Sequence, residues 1–314
     1  VIEVEIPRGS GINTIGRILE ENGIIRNKTI FKLYVDLYDR GSKLRSGTYE
    51  LSPSMELMEI INTLCSGEST YNVAKLLIKE GYTVDDIANL LVQKGVIDKP
   101  EEFTNALKDL SPYTQAYPFL EEPVKEKDKR KNPAEGYLFP DTYEFYKNHN
   151  AKNALGKLID AFADHIDEDA FASSKAKSMG YSMKDVVIIA SLIEKETDGT
   201  DQRDIASVIY NRLQKPGETV GLLQIDASLL YGLPDHTGAI TNADKAVDTP
   251  YNLYLHKGLP PTAIANPGSA ALKAAMDPND TDYYYYALGT DGKHHFSKTL
   301  SEHNAFVGSS SYGG

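Results

Sequence analysis

The stretch SMKDVVIIASLIEKET, residues 182–197, decides how the second half of the chain is read. Ser182 stands where a helix N-cap belongs, and Asp185, three residues on, faces the same free amides, so a helix begins here. Residues 186–193 present no polar face, which suits a helix packed on every side. Beyond them the chain turns abruptly polar, Glu194-Lys195-Glu196-Thr197. At about 100° per residue, Glu194 and Glu196 diverge by about 200°, so a single cleft takes only one of them. The negative end of the helix dipole and apolar packing both disfavour a carboxylate's charge, and both raise its pKa toward the range of a general acid near neutral pH. The pattern fits either glutamate, and it also fits two surface glutamates ending a core helix.

Downstream, residues 201–215 (DQRDIASVIYNRLQK) form a second helical pattern with Ile205, Val208, Ile209 and Leu213 inward. Loops rich in Pro, Gly and Tyr follow, among them LLQID (222–226), PYNLY (250–254) and GLPPTAIANP (258–267). EGYLFPDTY (135–143) has the same character upstream. Amide and hydroxyl donors beside aromatic faces are how proteins hold uncharged sugars. Residues 121–132 (EEPVKEKDKRKN) carry dense mixed charge and read as a linker or solvated loop.

The first third of the chain repeats itself. Residues 4–31 laid over 76–103, an offset of 72, match Gly9 with Gly81, Ile15 with Ile87, Leu19 with Leu91, Gly23 with Gly95, Ile25 with Ile97 and Phe31 with Phe103. Each copy runs from an alternating strand into a short amphipathic helix that a glycine stops. Residues 47–51 (GTYEL) and the helical Met55, Met58, Ile61 and Leu64 complete the first copy. Two small modules resembling LysM, which grip GlcNAc-containing glycans, account for this pattern; two strand-helix units that merely pack account for it equally simply. The expected fold is α+β, with small N-terminal α/β modules followed by a mainly helical domain with short β elements. The expected boundaries are 1–71 and 72–120 for the modules, 121–133 for the linker and 134–314 for the domain that carries the chemistry.

The bulk properties agree with a globular chain: 314 residues, 41% hydrophobic and 25% charged. A net charge of −12 argues against nucleic acid as a partner, because phosphate binding needs clustered Lys and Arg. A single cysteine, Cys65, precludes an intramolecular disulfide. The longest apolar run, 186–193, falls far short of the roughly 20 residues that span a bilayer. The chain opens at Val1 directly into the alternating Ile2, Val4 and Ile6, which leads us to expect an upstream segment.

These blocks together resemble the endolytic murein transglycosylases, the YceG-like family. The resemblance rests on EGYLFPDTY (135–143), ASLIEKET (190–197), Asn211-Arg212-Leu213, LQIDASLLYG (223–232), PYNLY (250–254), GLPPTAIANPG (258–268), His295-Phe296-Ser297 and His303-Asn304, in that order. It implies that the catalytic glutamate is Glu196, acting first as acid and then as base on the MurNAc-β-1,4-GlcNAc bond and leaving a 1,6-anhydroMurNAc end. One carboxylate suffices for that reaction, whereas a glycoside hydrolase of either usual type wants a second. Glu135, Gln224, Asp226, Asn252 and Tyr254 are expected to line the groove. The resemblance further implies a single N-terminal membrane anchor with this region facing the cell wall, peptidoglycan strands as substrate, and penicillin-binding proteins and other cell-wall synthesis or division proteins as partners. The alternative is a wall-binding scaffold that recruits synthases and cuts nothing.

No cofactor or metal is expected. His294, His295 and His303 with Glu302 lack a metal-ligand spacing, and no glycine-rich phosphate loop precedes a helix as a pyridoxal phosphate enzyme would need. The run of four tyrosines at 283–286 could stack on sugars, but strand alternation makes core packing the better account of most of its rings.

Overall fold

The structure, a computed structural model, describes residues 1–67, 73–126, 131–146, 151–197, 199–233 and 236–313. The chain divides into two compact units, residues 1–74 and 75–314. Among the described residues, three two-stranded sheets and a larger number of helices make the fold mixed α and β.

In the first unit, β1 (Ile2–Ile6) runs antiparallel to β2 (Gly47–Leu51), with Ile2 opposite Leu51 and Ile6 opposite Gly47. The alternation sends Val4, Ile6, Tyr49 and Leu51 inward. They meet Ile15 and Leu19 of the helix Ile12–Glu21, Phe31 and Val35 of Lys28–Leu37, and Ile60, Ile61 and Leu64 of Leu57–Ser66. Asn27 caps the middle helix by accepting from the amides of Thr29 and Ile30. The hydroxyl of the buried Tyr49 donates to the Arg45 carbonyl at 2.8 Å.

The repeat is visible in the second unit. The helix Val84–Gln93 lies 72 positions after Ile12–Glu21, residue for residue. Both helices close alike: Ile24 N–H reaches the Leu19 carbonyl and Val96 N–H the Leu91 carbonyl, each at 2.9 Å. The glycines between adopt φ of 69° (Gly23) and 70° (Gly95), so each end is a Schellman closure. Ile87, Leu91 and Phe103 are as deeply buried as their counterparts Ile15, Leu19 and Phe31. β3 (Val73–Leu77) pairs with β4 (Thr142–Tyr146).

The charged segment expected to be linker or loop begins instead as a helix, Glu121–Lys125. Its Pro123 is buried, Lys125 pairs with Glu121 at 3.1 Å, and Lys184 reaches Glu126 at 3.2 Å. Charge density alone conceals such a helix, because its apolar contribution is only Pro123 and the partly buried Val124, following the buried Leu120. Residues 127–130 of that segment lie outside the described residues.

The centre of the second unit is the helix Met183–Glu196. Ser182 and Asp185 cap it reciprocally, the Asp185 amide donating to Ser182 Oγ and the Ser182 amide to Asp185 Oδ2. All of residues 186–193 are buried. The helices Gln202–Gln214, Asp226–Gly232 and Ser269–Met276 pack around it. Ser191 Oγ satisfies itself on the Ile188 carbonyl and accepts the Ile264 amide at 3.0 Å, which fastens the 258–268 loop to the helix.

A buried polar node joins distant segments beside this core. Asn266 Oδ1 accepts the amides of Gly136 and Leu138, both at 2.9 Å, while its Nδ2 donates to the Tyr82 carbonyl and to Glu135 Oε1. Glu135, wholly buried, also receives the Val84 amide at 3.0 Å and the Tyr231 hydroxyl at 2.9 Å. Burial pushes its carboxyl up to about 8 against the pull of these donors. Gly136 has φ of +92°, and a Cβ there would lie 2.6 Å from both Ala263 and Val187.

Two predictions follow from this node. Gly136→Ala combines a disfavoured φ with a clash against Ala263 Cβ and the buried Val187 side chain, so it lowers unfolding free energy by about 3 kcal/mol or more; a loss under about 1 kcal/mol in urea denaturation contradicts the packing described. The folded state holds the Glu135 proton at pH values where the unfolded chain has released it. Its stabilising contribution is therefore complete below about 4.5 and lost as pH rises through about 8. Across that window the wild type loses stability relative to Glu135→Gln, whereas a constant difference between the two means that Glu135 is ionised throughout.

Candidate active site

Glu196 is the last residue of the central helix, and Thr197 leaves it in an extended conformation with φ of −154°. The helix end splits its two glutamates between different partners. Glu194 accepts the Gly268 amide at 3.0 Å, and Glu196 Oε2 accepts the Tyr286 hydroxyl at 2.7 Å. A cleft of 570 Å³ is bordered by Glu196 and not by Glu194, in keeping with their angular separation. A neighbouring depression touches both, so the expectation that a single cavity takes only one of them holds for the cleft and fails for the depression.

Tyr286 comes from β5 (Tyr285–Leu288), which runs antiparallel to β6 (His294–Ser297). Tyr285 and Tyr286 both border the cleft. Half of the four-tyrosine run thus reaches it, rather than most of it going to the core. Tyr286 meets His294 edge-on at 5.5 Å, and His294 Nδ1 lies 2.7 Å from Asp201 Oδ2. Asp201 in turn accepts the Thr197 hydroxyl at 2.7 Å, which braces the residue following Glu196.

Arg212, almost wholly buried, donates to the carbonyls of Tyr284 and Leu223 and lies over the Tyr285 ring at 5.3 Å. It was not among the residues expected to line the site, although a signal for it exists. Positions 205, 208, 209 and 212 form one helical stripe, and a charged residue on that apolar stripe needs a buried purpose. Leu213, expected inward, is only partly buried, and Arg212 takes the inner position.

Burial raises the pKa of the Glu196 carboxyl, and Asp226 adds to the shift. The Tyr286 hydroxyl, His294 and Arg212 pull the other way. Glu194 is raised by burial too, so the ionisation argument alone does not separate the two glutamates. What separates them is position: Glu196 faces the main cleft beside a fixed cation.

Of the other expected residues, Gln224, Asp226 and Tyr254 border the same cleft as Glu196. The Tyr254 hydroxyl donates to Asp226, and Lys245 lies over the Tyr254 ring at 4.3 Å. Gln224 holds a left-handed φ of +55°, and its amide donates to the Leu253 carbonyl at 3.0 Å. Such a backbone is costly for a residue with a Cβ and is retained where surrounding contacts fix it. Asn252 and Glu135 do not border the cleft. Asn252 is fully buried; its Nδ2 donates to the carbonyls of Lys245 and Val247, and its Oδ1 accepts the Tyr254 amide. It shapes the loop that presents Lys245 and Tyr254. Glu135 belongs to the Asn266 node. Both are polar residues in blocks that also hold cleft residues, which sequence alone does not distinguish.

His295 lies 3.2 Å from Asp291, and His303 stacks on Tyr285 at 5.2 Å. Among the described residues, no three His, Cys, Asp or Glu side chains gather as metal ligands would. Chemically, the cleft offers one protonatable carboxyl with a raised pKa, a cation that favours its later ionised form, and tyrosine rings beside polar side chains.

The sequence profile of the YceG-like family matches residues 4–309. A protein of Bacillus subtilis named endolytic murein transglycosylase is 34% identical over 313 residues, covering 96% of this chain and 83% of that protein. One of the same name from Streptococcus pneumoniae is 30% identical, and the match covers 98% of this chain but 58% of its relative. The crystal structure of a YceG-like protein from Listeria monocytogenes is similar at a TM-score of 0.66 and 37% identity, over 97% of this chain and 98% of that one. From the agreement of profile, relatives and architecture, the chain belongs to the YceG-like family.

Proposed function

We propose that this chain is an endolytic lytic transglycosylase that cuts peptidoglycan strands at interior MurNAc-β-1,4-GlcNAc bonds, leaves 1,6-anhydroMurNAc ends and limits the length of nascent strands. The observation that carries the proposal is Glu196 itself, a carboxyl raised by burial, bordering an open cleft and held on one oxygen by Tyr286. In the first step Glu196 gives its proton to the glycosidic oxygen, and the bond from MurNAc C1 to the GlcNAc oxygen breaks. The MurNAc C6 hydroxyl then bonds to C1 while the Glu196 carboxylate takes its proton. The acid is regenerated and no water is consumed. Arg212 and the Tyr286 hydroxyl stabilise the carboxylate between the two steps.

Gln224, Asp226 and Tyr254 hold the sugars, while Glu135 and Asn252 support the site from the interior. The repeated units, 1–71 and 72–120, act as LysM-like glycan-binding modules ahead of a catalytic domain at 134–314. An enzyme with this substrate faces the cell wall, and the same reading includes a membrane anchor, with penicillin-binding proteins and other cell-wall synthesis or division proteins as partners. Among the described residues no helix is long and apolar enough to cross a membrane.

Glu196→Gln preserves shape and removes the proton, so cleavage of purified strands falls by about a hundredfold or more while the melting temperature holds. A variant that still cuts at the wild-type rate removes Glu196 from the reaction, whereas a wild type that cuts nothing, with a variant that keeps the cellular phenotype, points to the scaffold instead. Tyr286→Phe removes a donor to the carboxylate and raises the Glu196 pKa further. Because Glu196 begins as the acid, activity falls as pH rises through its pKa, and in this variant that alkaline limb moves to higher pH. Loss of positioning also lowers kcat by about ten- to a hundredfold. An unmoved limb with a lowered melting temperature marks Tyr286 as merely structural.

A further inference from the structure

The depression beside the Glu196 cleft has a volume of 620 Å³, comparable to the cleft itself. Both fall within the range of sites that hold ligands of a few sugar units' size. Glu196, Leu288 and His294 border both. The carboxyl therefore stands on a shared margin rather than at the end of a blind pocket. An enzyme that cuts inside a polymer needs that arrangement, since the chain continues in both directions from the broken bond.

The two sides differ in chemistry. The cleft is bordered by Tyr254, Tyr285, Tyr286 and Tyr312, whose rings suit sugar faces. Among its described residues the neighbouring depression has no tyrosine or phenylalanine, its ring being the His294 imidazole shared with the cleft, and it carries Lys195 and Lys293. Its three acids each have an internal partner: Asp201 has Thr197 and His294, Glu194 the Gly268 amide, and Glu196 the Tyr286 hydroxyl. Lys195 makes one long contact with the Gly81 carbonyl, at 3.5 Å, and is exposed. Lys293 is exposed on the turn between β5 and β6. In a chain of net charge −12, two exposed lysines at the edge of the groove are points of direct contact for an anionic ligand.

We propose that this depression receives the glycan on the other side of the scissile bond from the tyrosine-rich cleft, and that Lys195 and Lys293 bind carboxylates of the peptide borne by a muramoyl residue there. The proposal rests on the transglycosylase reading and adds a substrate preference to it. Strands that keep their peptides discriminate where bare glycan does not.

The test compares purified strands that carry peptides with strands stripped of them by an amidase, cut by the wild type, by Lys293→Gln and by Lys195→Gln/Lys293→Gln. With peptide-bearing strands the double variant raises KM by about three- to tenfold, the effect of two exposed ion pairs, and leaves kcat unchanged. With stripped strands its KM equals that of the wild type. An unchanged KM on peptide-bearing strands overturns the proposal, and so does an equal rise on both substrates, which marks a sugar-binding or structural role. Lys293→Gln alone leaves the Lys195 contact with Gly81 in place, so its share of the KM rise is read in an unaltered fold. A wild type that cuts neither substrate overturns the transglycosylase reading, and that failure shows before any lysine is changed.

Discussion

Burial of residues 186–193 on every side is the constraint on which the second unit depends. A helix with no polar face has to be covered all round, and here three helices and the 258–268 loop do so. Polar chemistry can then emerge only where the cover stops, at the helix end. Glu194 and Glu196 are the first carboxyls beyond the apolar run, and burial raises the pKa of both. The raised pKa of Glu196 is thus a by-product of core packing, in the way that burial commonly tunes a carboxyl toward acid catalysis.

What differentiates the two glutamates is supplied from elsewhere in the chain. The β5–β6 hairpin brings Tyr286 to one and His294 near it, and the buried Arg212 supplies fixed positive charge. Glu194 meets a backbone amide instead. These opposing influences suit the role proposed for Glu196, an acid first and a base second. Burial alone favours the neutral form, and donors alone favour the ion. On Glu196 the two act against each other, with burial the larger.

The capped central helix, its apolar body and the 72-residue repeat were legible in the sequence because each rests on local periodicity and local capping. The repeat was even more regular than its sequence matches suggested, down to the same helix closure at Gly23 and Gly95. The helix Glu121–Lys125 was not legible, because its stabilising contacts include Lys184, some sixty residues away. The site divided along the same line. Glu196 with Gln224, Asp226 and Tyr254 came together in one cleft, yet Glu135 and Asn252, polar residues in neighbouring blocks, were drawn into the interior. Arg212 and Tyr286 went unassigned because their importance lies in pairings across 72 and 90 residues. No window of sequence contains such pairings.

The presence of Asp226 in the cleft makes the fate of water the sharpest question, since a second carboxylate could in principle direct a hydrolysis. The central claim is that the MurNAc C6 hydroxyl, not water, closes the reaction under the control of Glu196 alone. Cleavage of purified strands in isotopically heavy-oxygen water, followed by mass spectrometry of the new ends, measures this directly. The account predicts 1,6-anhydroMurNAc ends that carry no heavy oxygen. Reducing ends that incorporate it would contradict the account and assign the enzyme to hydrolysis.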